Sequence, residues 1–235
     1  MFKFYNEAIK RTKKCSIAFP ESVREKLSNN KNTIELKGFG AGPKSYSSKI
    51  VKVNKHAKHS LKGIRECQLL YRVVKTLAPS KILELGTSFG VSTLYLNEAV
   101  PNAQITTFEG ETVIHDFAKT FFLDKKINSI AGGIDELLPE MLSKETTVDC
   151  VIFDANHSYE PTIRYFEACL EKTHNDSFFI IDDIYWSEGM TKAWEEIKKH
   201  PKVKISIDLY YFGIVFFRKE QPKEHFVLRQ FQLIQ

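Results

Sequence analysis

Residues 82–90 read Ile82-Leu83-Glu84-Leu85-Gly86-Thr87-Ser88-Phe89-Gly90, and this stretch decides the fold. Its first half has the apolar density of a parallel strand buried on both faces, broken by one carboxylate. Its second half puts glycines at positions 86 and 90, where the backbone can turn sharply and approach a ligand at a helix N-terminus. The helix follows at once in the run from Val91 to Val100. A second apolar strand, Gln104 to Phe108, ends in Glu109, roughly 20 residues past the glycines, where nucleotide folds keep a ribose-binding acid. Strand, glycine turn, helix, strand and delayed acid predict a cradle for an adenosine-containing cofactor.

The turn itself narrows the cofactor. A dinucleotide site needs a middle glycine so that a pyrophosphate can approach, but Thr87 and Ser88 fill the turn here. Glu84 would repel a phosphate and attract an ammonium group, which favours S-adenosylmethionine. The segment Glu84 to Gly90, with Glu109 closing the next strand, resembles the first motifs of the class I S-adenosylmethionine-dependent methyltransferases. That resemblance implies that Glu84, Gly86, Thr87, Ser88 and Gly90 surround the cofactor and that Glu109 holds its ribose. It also implies that the Ser92 hydroxyl meets the cofactor carboxylate beside the helix N-terminal amides. Gly133 and Asp135, at the turn after the third strand, would line the adenine edge. The residues alone equally allow Asp135 to be the N-cap of the helix that follows.

Composition sets the frame around this core. A chain of 235 residues with 43% apolar content can bury one α/β core plus an extension. The cysteines Cys15, Cys67, Cys150 and Cys169 form no C-x-x-C pair, so neither a zinc site nor a disulfide framework is indicated, and a reducing cytoplasm is the expected compartment. No signal-peptide pattern and no run of about 18 apolar residues occurs, so no membrane association is expected. The net charge of +5 hides an asymmetry: residues 1–80 carry 18 Lys/Arg against 5 Asp/Glu, and residues 81–235 carry 16 against 24. A basic front piece on an acidic body could steer an anionic small-molecule acceptor, bind RNA, or be a solvated helical surface.

From Lys81 onward the pattern alternates strand and helix, the mark of a doubly wound, Rossmann-like α/β sheet. Strands are expected at 82–85, 105–108, 127–131, 148–153 and 178–181, with helices near 91–99, 111–123, 135–143, 159–172 and 189–199. Segments 203–209 and 211–217 lie too close for a crossover helix and predict an antiparallel terminal pair. Five parallel strands closed by such a pair is the methyltransferase sheet. Ahead of it we expect an amphipathic helix around Phe4, Ala8 and Ile9, and a short helix from Pro20 to Leu27. A short strand at 33–36, a loop at 38–45, a basic segment at 49–62 and a helix at 64–77 ended by Pro79 follow. Residues 1–75 would be an N-terminal helical lid that shapes the acceptor pocket, and residues 76–235 the catalytic domain; a homodimer is left open.

Asp154, Asp182 and Asp183 end the fourth and fifth strands, at the sheet edge where open α/β folds bind ligands. Three converging carboxylates need compensation, and oxygen donors suit Mg²⁺ or Ca²⁺. The sequence is similar here to the catechol and caffeoyl-CoA type of O-methyltransferase, whose metal-holding acids map onto Asp154, Asp182 and Asp183. Where that family has a lysine, this chain has His157, within Asp154-Ala155-Asn156-His157-Ser158-Tyr159-Glu160, which is similar to the DGDHSYE motif of a broader methyltransferase group. His157 could be a general base near neutral pH, a metal ligand, or a loop histidine bonded to Asp154. Asp154 would serve catalysis and the cofactor as well as the metal, and Asp183 could instead cap a turn.

Two other signals fail. Gly38 to Ser45 comes within a residue of a P-loop, but Pro43 removes a needed backbone N–H. His56 and His59 sit among Lys52, Lys55, Lys58 and Lys62, whose charges oppose a bound cation, so a basic lid is the better reading. The expected function is O-methylation of a small-molecule hydroxyl. Its rivals are a nucleic-acid methyltransferase or RNA-binding module using the basic front piece, against which no amino-methylating Asn-Pro-Pro-aromatic motif is present, and a non-catalytic scaffold of the same fold.

Overall fold

Why the glycine-turn strand is central becomes plain in the sheet order. In the computed structural model, which describes residues 4–10, 17–38 and 49–228, β3 (Lys81–Leu85) has every residue but its first fully buried. An eight-stranded sheet runs in the order β10-β8-β9-β7-β6-β3-β4-β5. Its strands are β4 (Gln104–Glu109), β5 (Ile127–Ala131), β6 (Cys150–Phe153), β7 (Phe178–Asp182), β8 (Ile205–Asp208), β9 (Phe212–Phe216) and β10 (Glu224–Val227). β4 pairs with β5, and β6 with both β3 and β7, all in parallel. β9 runs antiparallel to β7 and to β8, which is the expected terminal pair. The fold is the doubly wound, Rossmann-like sheet expected from the sequence.

Contacts divide the chain into two compact units, residues 1–80 with 86–136, and residues 81–85 with 137–235. In the first, a two-stranded antiparallel sheet, β1 (Thr33–Leu36) with β2 (Lys49–Lys52), stands beside the helices α1 (Ala18–Asn29), α2 (Val53–Ser60) and α3 (Ile64–Leu77). α4 (Val91–Ala99) and α5 (Thr112–Lys119) complete it. Ile17, Val23, Leu27, Val53, Ala57 and Cys67 from the front piece join Phe89, Val91, Leu94 and Tyr95 in one apolar cluster. Covering that much apolar surface is the dominant favourable term in holding the front piece down. A polar network crosses the same interface. The Tyr95 hydroxyl donates to Glu21 at 2.5 Å, and Arg24 reaches Glu21, the Lys62 carbonyl and the Cys67 sulfur.

The second unit packs aromatic rings between sheet and helices: Phe153, Phe166 and Phe179 form a mutual cluster that Phe217 extends. Its helices include α7 (Tyr159–Leu170) and α8 (Glu188–Lys199), the latter N-capped by Ser187, whose hydroxyl accepts from Met190 N–H. α6 (Ile134–Lys144) precedes β6.

Several sequence readings need correction. The helix expected at 111–123 stops at Lys119 with Thr120 as its C-cap, and Asp124, in the left-handed region, lies in the turn that leads to β5. The expected N-terminal amphipathic helix is a five-residue π-helix, Tyr5–Ile9, that buries Ala8 and Ile9. The basic segment 49–62 is β2 followed by α2. β10 went unread because Glu-His-Phe-Val shows little apolar alternation and is mostly exposed at the sheet edge. Asp135 is the second residue of α6, inside its first turn, so the N-cap reading falls. The P-loop-like stretch and Cys15 lie outside the described residues, apart from Gly38.

Candidate functional site

The glycine turn of the first unit is held from below by β4. Gly86 and Thr87 N–H both donate to the Phe108 carbonyl, at 3.2 and 2.9 Å, and the buried hydroxyls of Thr87 and Thr107 share a 2.6 Å hydrogen bond. Thr87 therefore secures the turn with its side chain. Gly86, Ser88 and Gly90 all have positive φ, +110°, +48° and +81°. At Gly90 a side chain is excluded twice over, by φ and by the Phe122 ring, whose atoms lie 2.5 and 2.7 Å from where a Cβ would stand. Gly90 is the N-cap of α4 and its carbonyl accepts from Leu94 N–H, which starts the helix immediately after the turn. Ser92 lies in the first turn of α4, at the border of burial.

Glu109 ends β4 and faces this turn. Its carboxylate accepts the N–H of Ser88 at 2.8 Å and of Glu111 at 2.9 Å. Burial pushes its carboxyl above the ordinary range, against the pull of those two amides. Gly132 N–H donates to the Glu109 carbonyl, and a Cβ at Gly133 would meet nothing within 4 Å, so the start of α6 is open there. Asp135 follows in that first turn. Glu84, within β3 of the other unit, is fully buried, and its charge helps raise the Cys150 thiol, an effect led by burial.

The front piece braces the same turn, which sequence reasoning did not foresee in detail. Ser88 Oγ donates to Ser60 Oγ at 3.1 Å, and the His56 ring meets Phe89 edge-on at 5.7 Å. Burial lowers the His56 pKa, partly offset by Glu111. Glu111, itself buried, accepts from Lys37 N–H at 2.9 Å and Gly38 N–H at 2.5 Å, tying the end of β1 to the loop that follows β4. A Glu-x-Glu sequence after an apolar strand was the available signal, but nothing local distinguished the two acids.

In the second unit, Asp154 follows β6, and its N–H donates to the carbonyl of Leu85, the residue that leads into Gly86. Asn156 and His157 have positive φ, +63° and +25°, so the chain folds back on itself before α7. His157 Nε2 comes 3.8 Å from Asp154 Oδ1, and Nδ1 comes 3.8 Å from Asp183 Oδ2. Asp154, His157 and Asp182 each present a ligand atom within 4.8 Å of the other two. Asp183 is not in that trio; its backbone is left-handed, φ +52°, and its N–H donates to the Tyr211 carbonyl. Beyond the acids stands an aromatic group the sequence reading passed over. Trp186 is 72% exposed, Tyr185, Tyr210 and Tyr211 are also exposed, and the Tyr185 hydroxyl donates to the buried Asp208.

Residues 83–184 match a family described as a methyltransferase domain. That stretch of the chain is similar to a methyltransferase domain. It begins in β3 and ends two residues past β7, so it contains the glycine turn, Glu109, Asp154, His157, Asp182 and Asp183. Solved structures share the fold of this domain and its surroundings. An O-methyltransferase from Bacillus cereus, in complex with SAH, is 20% identical with TM-score 0.59, covering 70% of this chain and 87% of that one. The O-methyltransferase TomG from Streptomyces achromogenes, involved in tomaymycin synthesis and in complex with SAM, is 18% identical with TM-score 0.59, covering 68% and 82%. The SAH-bound Podospora anserina methyltransferase PaMTH1 is 13% identical with TM-score 0.61, covering 90% and 100%. Among the described residues no helix is long and apolar enough to cross a membrane.

Proposed function

We propose that this methyltransferase domain moves the methyl group of S-adenosylmethionine to a hydroxyl of a small molecule, with a divalent ion assisting. The observation that carries the reading is Glu109: a buried carboxylate at the end of the strand beside the glycine turn, already bonded to two backbone amides. Such an acid is positioned to accept the two ribose hydroxyls of the adenosine moiety. Gly86 and Gly133 leave backbone room for the cofactor, Ser88 and Gly90 shape the turn around it, Ser92 and the first amides of α4 receive its carboxylate, and Asp135 the adenine edge. Glu84 supplies negative charge toward the ammonium group. Fold neighbours bound to SAM or SAH support the cofactor assignment.

The sulfonium makes methyl transfer an in-line displacement. The acceptor oxygen attacks the methyl carbon, the carbon–sulfur bond breaks, S-adenosylhomocysteine leaves, and the hydroxyl proton must go to a base or to solvent. The protein's work is alignment and proton removal. Asp154, Asp182 and His157 fit a divalent ion: they offer two carboxylates and an imidazole close enough to share one centre. A bound ion would acidify a coordinated hydroxyl. Trp186 and the neighbouring tyrosines would flank the acceptor, and the basic charge of residues 1–75 would favour an anionic one. The test is a transfer assay with labelled S-adenosylmethionine over a panel of phenols and hydroxy acids, with and without chelator. Label in product that chelator suppresses supports the reading. No transfer to any hydroxyl, with transfer to amines or nucleic acid instead, overturns it.

A further inference from the structure

We propose that His157 is a ligand of the ion through Nε2, that Asp183 is the carboxylate behind it, and that the site therefore selects a first-row transition ion over Mg²⁺ or Ca²⁺. The proposal rests on the metal-assisted reading above and assigns the donor set within it. His157 lies between two carboxylates, one on each ring nitrogen, both at 3.8 Å. That separation is too long for a hydrogen bond. It suits two donors on one ion, since two bonds of about 2.1 Å span up to about 4.2 Å. On the Nε2 side the partner is Asp154, which also groups with Asp182. On the Nδ1 side the partner is Asp183, outside the group of three. At Nδ1 the Asp183 carboxylate stands 3.8 Å away, beyond hydrogen-bond length but near enough to act as an outer negative charge, and closing that gap when an ion binds would complete the carboxylate–histidine–metal arrangement, in which the outer acid fixes the tautomer and raises ligand basicity.

Two carboxylates and one neutral imidazole balance the charge of a divalent ion. Imidazole donors suit zinc, iron, nickel and their neighbours, whereas all-oxygen sets suit magnesium and calcium. Replacing the second acid of an adjacent pair by histidine in the first shell thus shifts selectivity without moving the site.

The experiment titrates Co²⁺ and Mg²⁺ separately into the full-length protein and into the variants His157→Ala and Asp183→Asn, following calorimetry and the visible absorption of Co²⁺. S-adenosylhomocysteine binding serves as the check that each variant is folded. Wild type should bind Co²⁺ at least tenfold more tightly than Mg²⁺. His157→Ala should lose most of that preference by weakening Co²⁺ alone, and Asp183→Asn should weaken Co²⁺ by about 10- to 100-fold. An unchanged Co²⁺ spectrum and affinity in His157→Ala, or equal affinity of wild type for both ions, overturns the proposal while leaving metal assistance standing. Binding of neither ion overturns both the proposal and the metal part of the functional reading.

Discussion

The Glu109 carboxylate accepts the Ser88 amide at 2.8 Å, so the acid at the end of β4 fastens the glycine turn that follows β3. This bond lets one side chain set the turn's shape, and on the proposed reading the same side chain would face the ribose. It also makes the protonation state of Glu109 consequential, because burial raises its carboxyl above the ordinary 4.5.

Two pH slopes of opposite sign follow. With its folded value raised, Glu109 binds more protons in the folded than the unfolded state between the two values. Its stability contribution is therefore fully present below the ordinary value and lost as pH rises through the folded one. Cofactor affinity runs the other way, because ribose hydroxyls donate best to the ionised acid. Calorimetric titration of S-adenosylhomocysteine from mildly acid to neutral pH should show affinity rising through a midpoint above 4.5, and Glu109→Gln should flatten that rise. A wild-type profile as flat as the variant's would remove Glu109 from the ligand.

At Gly90 a methyl group meets both a left-handed backbone and the Phe122 ring. Gly90→Ala should destabilise the protein by about 2–4 kcal/mol, combining backbone strain with overpacking. It should also weaken cofactor binding, since the start of α4 moves. Urea unfolding and calorimetry check the two effects; a silent substitution would mean that the turn is looser than its contacts indicate.

Glu111 tests how the front piece is held. Its carboxylate satisfies two amides at the end of β1, and hydrogen bonds to a charged group contribute roughly 1.5–3 kcal/mol each. Glu111→Ala should lower unfolding stability by about 2 kcal/mol or more and increase amide exchange at Lys37 and Gly38. Unaltered exchange there would show that the tether is redundant with the apolar cluster.

Cysteine chemistry offers a check on the core. Cys67 and Cys169 are buried, with thiols pushed up to about 12 by burial, and Cys150 is buried with its thiol raised as well. At neutral pH these thiols stay protonated and unreactive. All three should resist alkylation in the native protein and react on unfolding, as mass spectrometry of labelled peptides would record. Rapid native labelling at Cys67 would contradict the packing of α3 against α1.

The sheet was legible because its strands are short apolar runs bounded by helices of clear period, and β3 and β9 in particular admit no other reading. β10 and β2 were not, since Glu224–Val227 and Lys49–Lys52 lack the alternation of apolar and polar residues, have no buried face and owe their strand form to a neighbour. At the candidate site, positions after strands were readable, so Asp154, Asp182 and Glu109 could be named. Which acid shares a centre with His157 was not, because that depends on left-handed residues at Asn156, His157 and Asp183 that no local signal announces. Glu111 was hidden for a related reason: its partners are backbone amides more than 70 residues away in sequence.

The central claim, that the glycine turn and Glu109 form an S-adenosylmethionine site, is tested most directly by calorimetric titration of S-adenosylhomocysteine into wild type and Glu109→Ala. Loss of charged hydrogen bonds worth ~1.5–3 kcal/mol predicts that wild type binds and that the variant binds more than about tenfold more weakly. Absence of binding to wild type, or equal affinity in the two proteins, would contradict it.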